Sequence, residues 1–343
     1  MTRSTRFRLL PFFGLFAAAC ASGGDQGSPA AYVPLSTSTT AEAATRDPFR
    51  WPFDDTSPWN TPIGSDAEYA RADDPTTLEL RDPDITIWLN STEWSHPIIE
   101  SRPDDPVVTV GYETTATAPF GPGTVEIHLP RTARPAIGAD AHLHVVESET
   151  AIAHEFFQMN IEGSQATAVY YVSTDLSGSG IETGGTRAYG GSALGGLIRT
   201  WEMDEGHIGH ALAVALNGDQ LQSGPVWPAV TEDAVADETY RGLIPMGTLM
   251  AIPDSVDIDS LFLTEEGLVV ARALQDYGAY VVDQSVAMTF YAEPDLPALT
   301  VARLRDDLQR LRRELRVVAN NSPDTPGGGG TPAAPAPPAL EVP

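Results

Sequence analysis

From residue 85 onward, apolar residues alternate with polar ones in short runs, and Gly, Pro, Asp and Ser break those runs at close intervals. The runs are 85–89, 107–112, 125–129, 142–146, 152–159, 168–173, 210–216, 249–252, 279–283 and 287–292. Period-two runs this short cannot build a helical bundle. They predict a mainly β chain, an antiparallel β-sandwich or jelly roll, with one or two accessory helices. One helix is expected within it, over 265–277, with Leu268, Ala271, Leu274 and Tyr277 as its buried stripe and Gly278 as its stop. The β domain is placed at 48–295.

The two ends read differently. Arg3, Arg6 and Arg8 precede an apolar run, Leu9–Ala19, too short for a permanent membrane span. It ends in Ala17-Ala18-Ala19-Cys20, which resembles a bacterial lipobox, so 1–19 is expected to be a lipoprotein signal peptide and Cys20 the lipidated residue. Cys20 is the chain's one Cys, so no intramolecular disulfide can form. Residues 20–47, rich in Ser, Thr, Ala and Gly, are expected to be a flexible tether. These features predict a cell-envelope location, an outer-membrane lipoprotein whose sole membrane contact is its lipid anchor.

At the other end, Leu304, Leu308, Leu311 and Leu315 form a heptad seam in an Arg-rich amphipathic helix over 299–318. Docking on the acidic body and weak self-association are both open for it. The Pro, Gly and Ala of 322–343 predict disorder. All 20 basic residues are Arg against 47 acidic ones, a net charge of −27, which argues against nucleic acid and against anionic lipid as partners.

The densest block of unusual residues is Tyr189–Leu216. Gly195 and Gly196 permit close backbone approach. A short helix over 197–205, stopped by Gly206, would put Arg199 and Glu202 on one face and pair them. His210 would then share a strand face with Ile208, Leu212 and Val214.

A second place is Asp140-Ala141-His142-Leu143-His144, where alternation projects both His from one face, a spacing that can chelate a divalent cation once further ligands converge. His154-Glu155 is expected in the neighbouring strand, as a hairpin across 147–150. Two carboxylates, Glu202 with Asp140 or Glu155, can serve as acid and base on a glycosidic bond. Trp51 and Trp59 are read as core plugs, with a sugar-stacking surface as the alternative.

The order of blocks Ser57-Pro58-Trp59-Asn60-Thr61-Pro62-Ile63, Asp140-Ala141-His142, Gly195-Gly196-Leu197-Ile198-Arg199, Gly209-His210-Ala211-Leu212, Trp227-Pro228-Ala229 and Ala273-Leu274-Gln275-Asp276-Tyr277-Gly278 resembles a family of secreted, β-rich bacterial proteins over about residues 50–293. The resemblance implies export and a jelly-roll-like domain, and no particular reaction. It marks Asp140, His142, Glu155, Arg199, Glu202, His210 and Asp283 as shared polar positions. The site expected from both lines has Glu202, Asp140, His210 and Glu155 as catalytic groups and Arg199, His142, Asp283 and Trp59 as substrate contacts. The expected activity is glycosidase- or lyase-like, on an extracellular or cell-wall carbohydrate. The alternative is a non-catalytic envelope protein that binds glycan or another envelope component.

Overall fold

The computed structural model of the chain describes residues 46–116, 119–163, 165–181, 184–335 and 337–338. The apolar run Leu9–Ala19, Cys20 and almost all of the tether lie outside the described residues. The strands are β1 (Ile87–Asn90), β2 (Ile98–Ser101), β3 (Val107–Thr115), β4 (Gly123–His128), β5 (Leu143–Glu147), β6 (Ile152–Phe157), β7 (Asn160–Glu162) and β8 (Gln165–Asp175), then β9 (Leu212–Asn217), β10 (Leu221–Gln222), β11 (Ile244–Pro245), β12 (Leu249–Ala251), β13 (Ala279–Ser285), β14 (Met288–Tyr291) and β15 (Arg316–Val317). The helices are α1 (Pro75–Leu80), α2 (Thr200–Glu205), α3 (Ala236–Thr239), α4 (Glu265–Asp276) and α5 (Ala298–Leu311). None of the described helices is long and apolar enough to cross a membrane.

The fold is mainly β, as the alternation predicts. One sheet runs β1-β14-β9-β13-β12-β15, and the other runs β2-β5-β6-β8-β3-β4 with β7 beside β8. Both sheets are mixed rather than wholly antiparallel: β1 with β14, β9 with β13, β2 with β5 and β3 with β8 are parallel pairs. Parallel neighbours need long crossovers, and the loops that make them carry several of the polar groups described below.

Alternation along β5 tells which side of the second sheet does what. Leu143 and Val145 enter a core of their own with Ile127 and Phe156. Val146 faces the other way, into the large core shared with β1, β9, β13 and β14. His144 has the same parity as Val146, and Glu155 on β6 the same parity as Ala153, another member of that large core. Two ionisable side chains are thereby aimed inward.

In the first sheet, β9 is buried on both faces, which is why Leu212–Leu216 reads as continuous apolar sequence. Gly195 and Gly196 fit against it: a Cβ on Gly195 would sit 2.3 Å from the Trp59 ring, and one on Gly196 2.3 Å from the Ala213 nitrogen. Trp59 is fully buried, edge-on to Tyr189 and Tyr280. It is a core plug, and its expectation as a substrate contact is corrected.

The C-terminal segment also departs from expectation. Leu304, Leu308, Leu311 and Leu315 are buried in the large core, and α5 packs on α4 and β1. Asp307, buried on α5, accepts from the backbone N–H (3.1 Å) and hydroxyl of Thr264, the N-cap of α4, and from Arg310 at 2.6 Å. The seam is therefore occupied within the chain, so self-association through 299–318 would have to give up this core.

Beyond α5, β15 adds the edge strand next to β12. Residues 322–335 are ordered along 62–67: Gly64 N–H donates to Gly327 O (2.9 Å), Ser65 N–H to Thr331 O (2.8 Å) and Ala333 N–H to Ile63 O (2.7 Å). The expectation of disorder fails because Gly327, Gly328, Gly329 and Gly330 all hold positive φ, a backbone path open in practice only to glycine. What looks like low-complexity sequence is a geometric requirement.

Deleting residues 299–343 is therefore expected to abolish cooperative unfolding, and Leu308→Ala to cost about 2–5 kcal/mol. Urea titrations followed by near-UV circular dichroism check both; a truncated chain that unfolds at the wild-type midpoint would contradict the packing.

Candidate metal centre

Between the two sheets, three imidazoles meet. His144 lies on β5. His142 is two residues ahead of it, beyond a turn in which Ala141 takes φ 38°. That unusual backbone is fixed from both sides, by Gln158 N–H to Asp140 O (2.7 Å) and Met159 N–H to Ala141 O (3.0 Å). His96 comes from the segment before β2. His144 N–H donates to Pro97 O (2.9 Å), and Ile98 is in register with His144, so His96 comes alongside His142. The His96 ring centroid is 4.2 Å from that of His142 and 5.2 Å from that of His144. One potential ligand atom from each ring lies within 4.8 Å of the others.

The rings are built to be neutral. His96, His142 and His144 are 2, 6 and 0% exposed. Burial pushes all three pKa values down, helped by the nearby Arg187 guanidinium and mutual repulsion, with His142 brought to about 3. His96 Nδ1 and His144 Nε2 stand 3.0 Å apart, while His142 Nδ1 and His144 Nδ1 are buried without a hydrogen-bond partner. A tetrahedral ion at ~2.1 Å from each nitrogen would hold them ~3.4 Å apart, so only small side-chain shifts separate this arrangement from a ligand set.

Glu155 stands behind His144. The two residues are directly opposite in the β5–β6 ladder, and the Glu155 carboxylate oxygen Oε2 is 3.7 Å from His144 Nδ1. Thr174 donates to its other oxygen at 2.6 Å, while Ala193 N–H (2.8 Å) and Thr186 (3.3 Å) donate to Oε2. Burial raises the Glu155 pKa against those three donors and Ser192. A carboxylate so enclosed is a support for His144 rather than an acid or base open to substrate, which revises its expected role.

A rim of polar groups completes the site. Burial raises Asp140, and it drives Asp283 up to about 7, where Arg187 opposes it and Asp233 adds to it. Asp283 follows a bulge in β13. Tyr291, at the end of β14, sets its ring edge-on to His96 at 5.5 Å. Trp94, 40% exposed and two residues before His96, lies against Gly138, and its backbone N–H donates to Ile137 O at 2.8 Å. On the outer side of the His96–Pro97 segment runs a cleft of about 660 Å³, lined by Pro97, Ile137, Trp201 and Glu293 among others.

The structure brings Asp140, His142, Glu155 and Asp283 to one region and leaves Glu202 and His210 elsewhere, while Arg199 lines the 660 Å³ cleft rather than the imidazole site. The expected convergence of all the catalytic candidates is corrected. Glu202 and His210 do pair, Nε2 to Oε1 at 2.9 Å, but away from the imidazoles: Glu202 lines a surface cleft with Trp201 and Glu205, and His210 a small neighbouring cavity with Trp51 and Trp59. His210 precedes β9 rather than lying in it, and its Nδ1 contacts Ala211 O at 2.9 Å. The Arg199 side chain binds Glu293 (2.5 Å) and Phe49 O (2.8 Å), not Glu202. Its backbone is extended at the N-cap of α2, which turns the side chain off the helix face. Glu202 instead accepts from the Arg199 N–H at 2.9 Å. Sequence reasoning missed His96, Arg187 and Tyr291. The signal for His96 was present, a His-Pro immediately ahead of the apolar Ile98-Ile99.

Burial works against a charged His210, but the Glu202 carboxylate outweighs it and leaves the His210 pKa raised. The pair's contribution is thus full below pH ~6.5, the unfolded value, and fades as pH rises through the folded value. Glu202→Gln is expected to cost about 1–3 kcal/mol at pH 5.5 and less at pH 9, by thermal denaturation at both. Equal costs at the two pH values would show that the His210 charge plays no part. No family model, curated protein or solved structure matches the chain, so the chemistry of the site is read from its own geometry.

Proposed function

We propose that His96, His142 and His144 hold a divalent metal, with zinc the best chemical match, and that the protein uses it to cleave an extracellular or cell-wall glycan by hydrolysis or elimination. The observation that carries the metal is the set of three buried, neutral imidazoles with Glu155 backing one of them. Three imidazoles satisfy zinc's preference for nitrogen and leave a fourth position for water, whose pKa such an ion brings to about 7. Asp140 and Asp283, both raised, are the proton-handling groups beside it.

Support for a glycan is the neighbouring 660 Å³ cleft with Trp201 in its lining, since indole faces stack on sugar rings. The lipobox-like sequence at Ala17-Ala18-Ala19-Cys20 supports an envelope location for such an enzyme, held by a lipid anchor. The geometry favours this reading over simple glycan binding, because a binding surface has no use for three convergent imidazoles under one carboxylate.

The full chain, stripped with chelator and dialysed against zinc, is expected to retain one ion. His96→Ala, His142→Ala and His144→Ala should each abolish retention, and Glu155→Gln should weaken it about 10–100-fold. Because the folded imidazoles are held below their ordinary pKa, zinc should stay bound at pH 5, where free histidine is protonated. Metal analysis after equilibrium dialysis measures all of these. Wild-type protein that retains no zinc at pH 7.5 sinks the metal reading. Turnover of a glycan panel with and without chelator then tests the activity.

A further inference from the structure

Arg187 is 4% exposed, and among the described residues none of its three side-chain nitrogens makes a hydrogen bond of good geometry, although the Tyr291 hydroxyl lies within electrostatic reach. A guanidinium offers five N–H donors and keeps its charge in any protein setting, so burying it unpaired is among the costliest arrangements a fold can hold. The backbone leaves it little freedom to escape. Gly190 N–H donates to Arg187 O (3.0 Å), Gly185 N–H to Gly190 O (2.8 Å), and Tyr189 N–H to Val282 O (3.0 Å), which ties the loop to β13. The guanidinium lies over the Tyr291 ring at 4.0 Å from its centroid, and that ring in turn meets His96. One residue earlier, Thr186 reaches the Glu155 carboxylate. Arg187 therefore sits on the same wall as the imidazoles, and its charge is felt by all three.

The carboxylates that could neutralise it are turned elsewhere. Asp283 receives the Gln284 N–H, and among the described residues neither Asp140 nor Asp283 forms an ion pair with Arg187. Stacking on Tyr291 offsets part of the burial cost, yet the in-plane edge of the fork, the part that recognises oxyanions in pairs, is unused.

We infer that Arg187 binds an oxyanion group carried by the substrate, so that the glycan acted on is an acidic one, bearing a carboxylate or a sulfate ester next to the bond at the metal. The inference deepens the metal-dependent reading and rests on it for the word substrate; the oxyanion site itself stands on Arg187 alone. It also gives the chain's strongly acidic body a role in selectivity. With a net charge of −27, the body as a whole disfavours acidic polymers, so such a group would be drawn in only locally, where Arg187 and a bound divalent ion would both be positive.

The test is calorimetric titration of the full chain with glucuronate, sulfate and uncharged glucose at matched ionic strength, zinc-loaded and metal-free. Wild type is expected to bind glucuronate or sulfate saturably and at least tenfold more tightly than glucose; which of the two binds better identifies the oxyanion. Arg187→Met should lose that preference while keeping its zinc stoichiometry, and Arg187→Lys should recover part of it. Anion binding by metal-free wild type, absent in Arg187→Met, would uphold the oxyanion site even if zinc retention failed. No saturable anion binding by wild type in either state overturns the inference, and this arm needs no variant to fold. Equal anion binding by wild type and a folded Arg187→Met overturns it as well.

Discussion

The candidate site hangs on one cross-strand pair, His144 opposite Glu155. A fully buried carboxylate is tolerable only when donors surround it, and here they come from β8, from the loop around Thr186 and from the backbone of Ala193. Those donors fix where the loop between β8 and α2 must run. That loop then carries Arg187 over Tyr291 and the glycine pair Gly195-Gly196 under Trp59. A one-residue slip of β5 against β6 would exchange the two faces, sending Leu143 and Phe156 toward the polar site and His144 into the second core. Packing on both sides of the second sheet makes that slip prohibitive, so two hydrophobic cores hold the register on which the polar groups rely.

The electrostatics run opposite to the chain's overall character. Outside, acidic residues dominate and no Lys is present. Inside, between the sheets, Arg187 has no ion-pair partner among the described residues, the three imidazoles are held neutral, and burial raises the Asp140 and Asp283 pKa values. Under the proposed reading, such a locus would gain most from taking up positive and negative guests together, an ion at the imidazoles and an oxyanion at the guanidinium. Each guest lowers the cost of the other, which is thermodynamic coupling without any change of shape.

The readable parts of the sequence were those governed by local period. The alternation of Asp140–His144 places His142 and His144 on one side, and the short connection to Ile152 sets Glu155 opposite, since an antiparallel hairpin is a local structure. His96 belongs to the same site through a parallel pairing of β2 with β5. Nothing local encodes that register; it is decided by how Pro97 and Ile98 pack. Arg187 was hidden for a similar reason, lying in an irregular Gly-rich loop where side-chain direction has no period. In the block from Tyr189 to Leu216, the Gly206 stop and the Glu202–His210 proximity followed from spacing. Arg199 did not, because a residue at a helix N-cap does not obey the helix's face rule. The C-terminal segment was misjudged by composition alone: repeated glycine is also what a left-handed backbone path demands.

That glycine path has a consequence for when the protein can fold. Residues 327–333 close against 62–66, and β15 supplies the last edge of the first sheet, so segments from opposite ends of the folded body complete one layer. The core around β12 and α5 therefore closes only once the segment from β15 through residue 333 has docked, so any species in which that segment is detached leaves this core open to water.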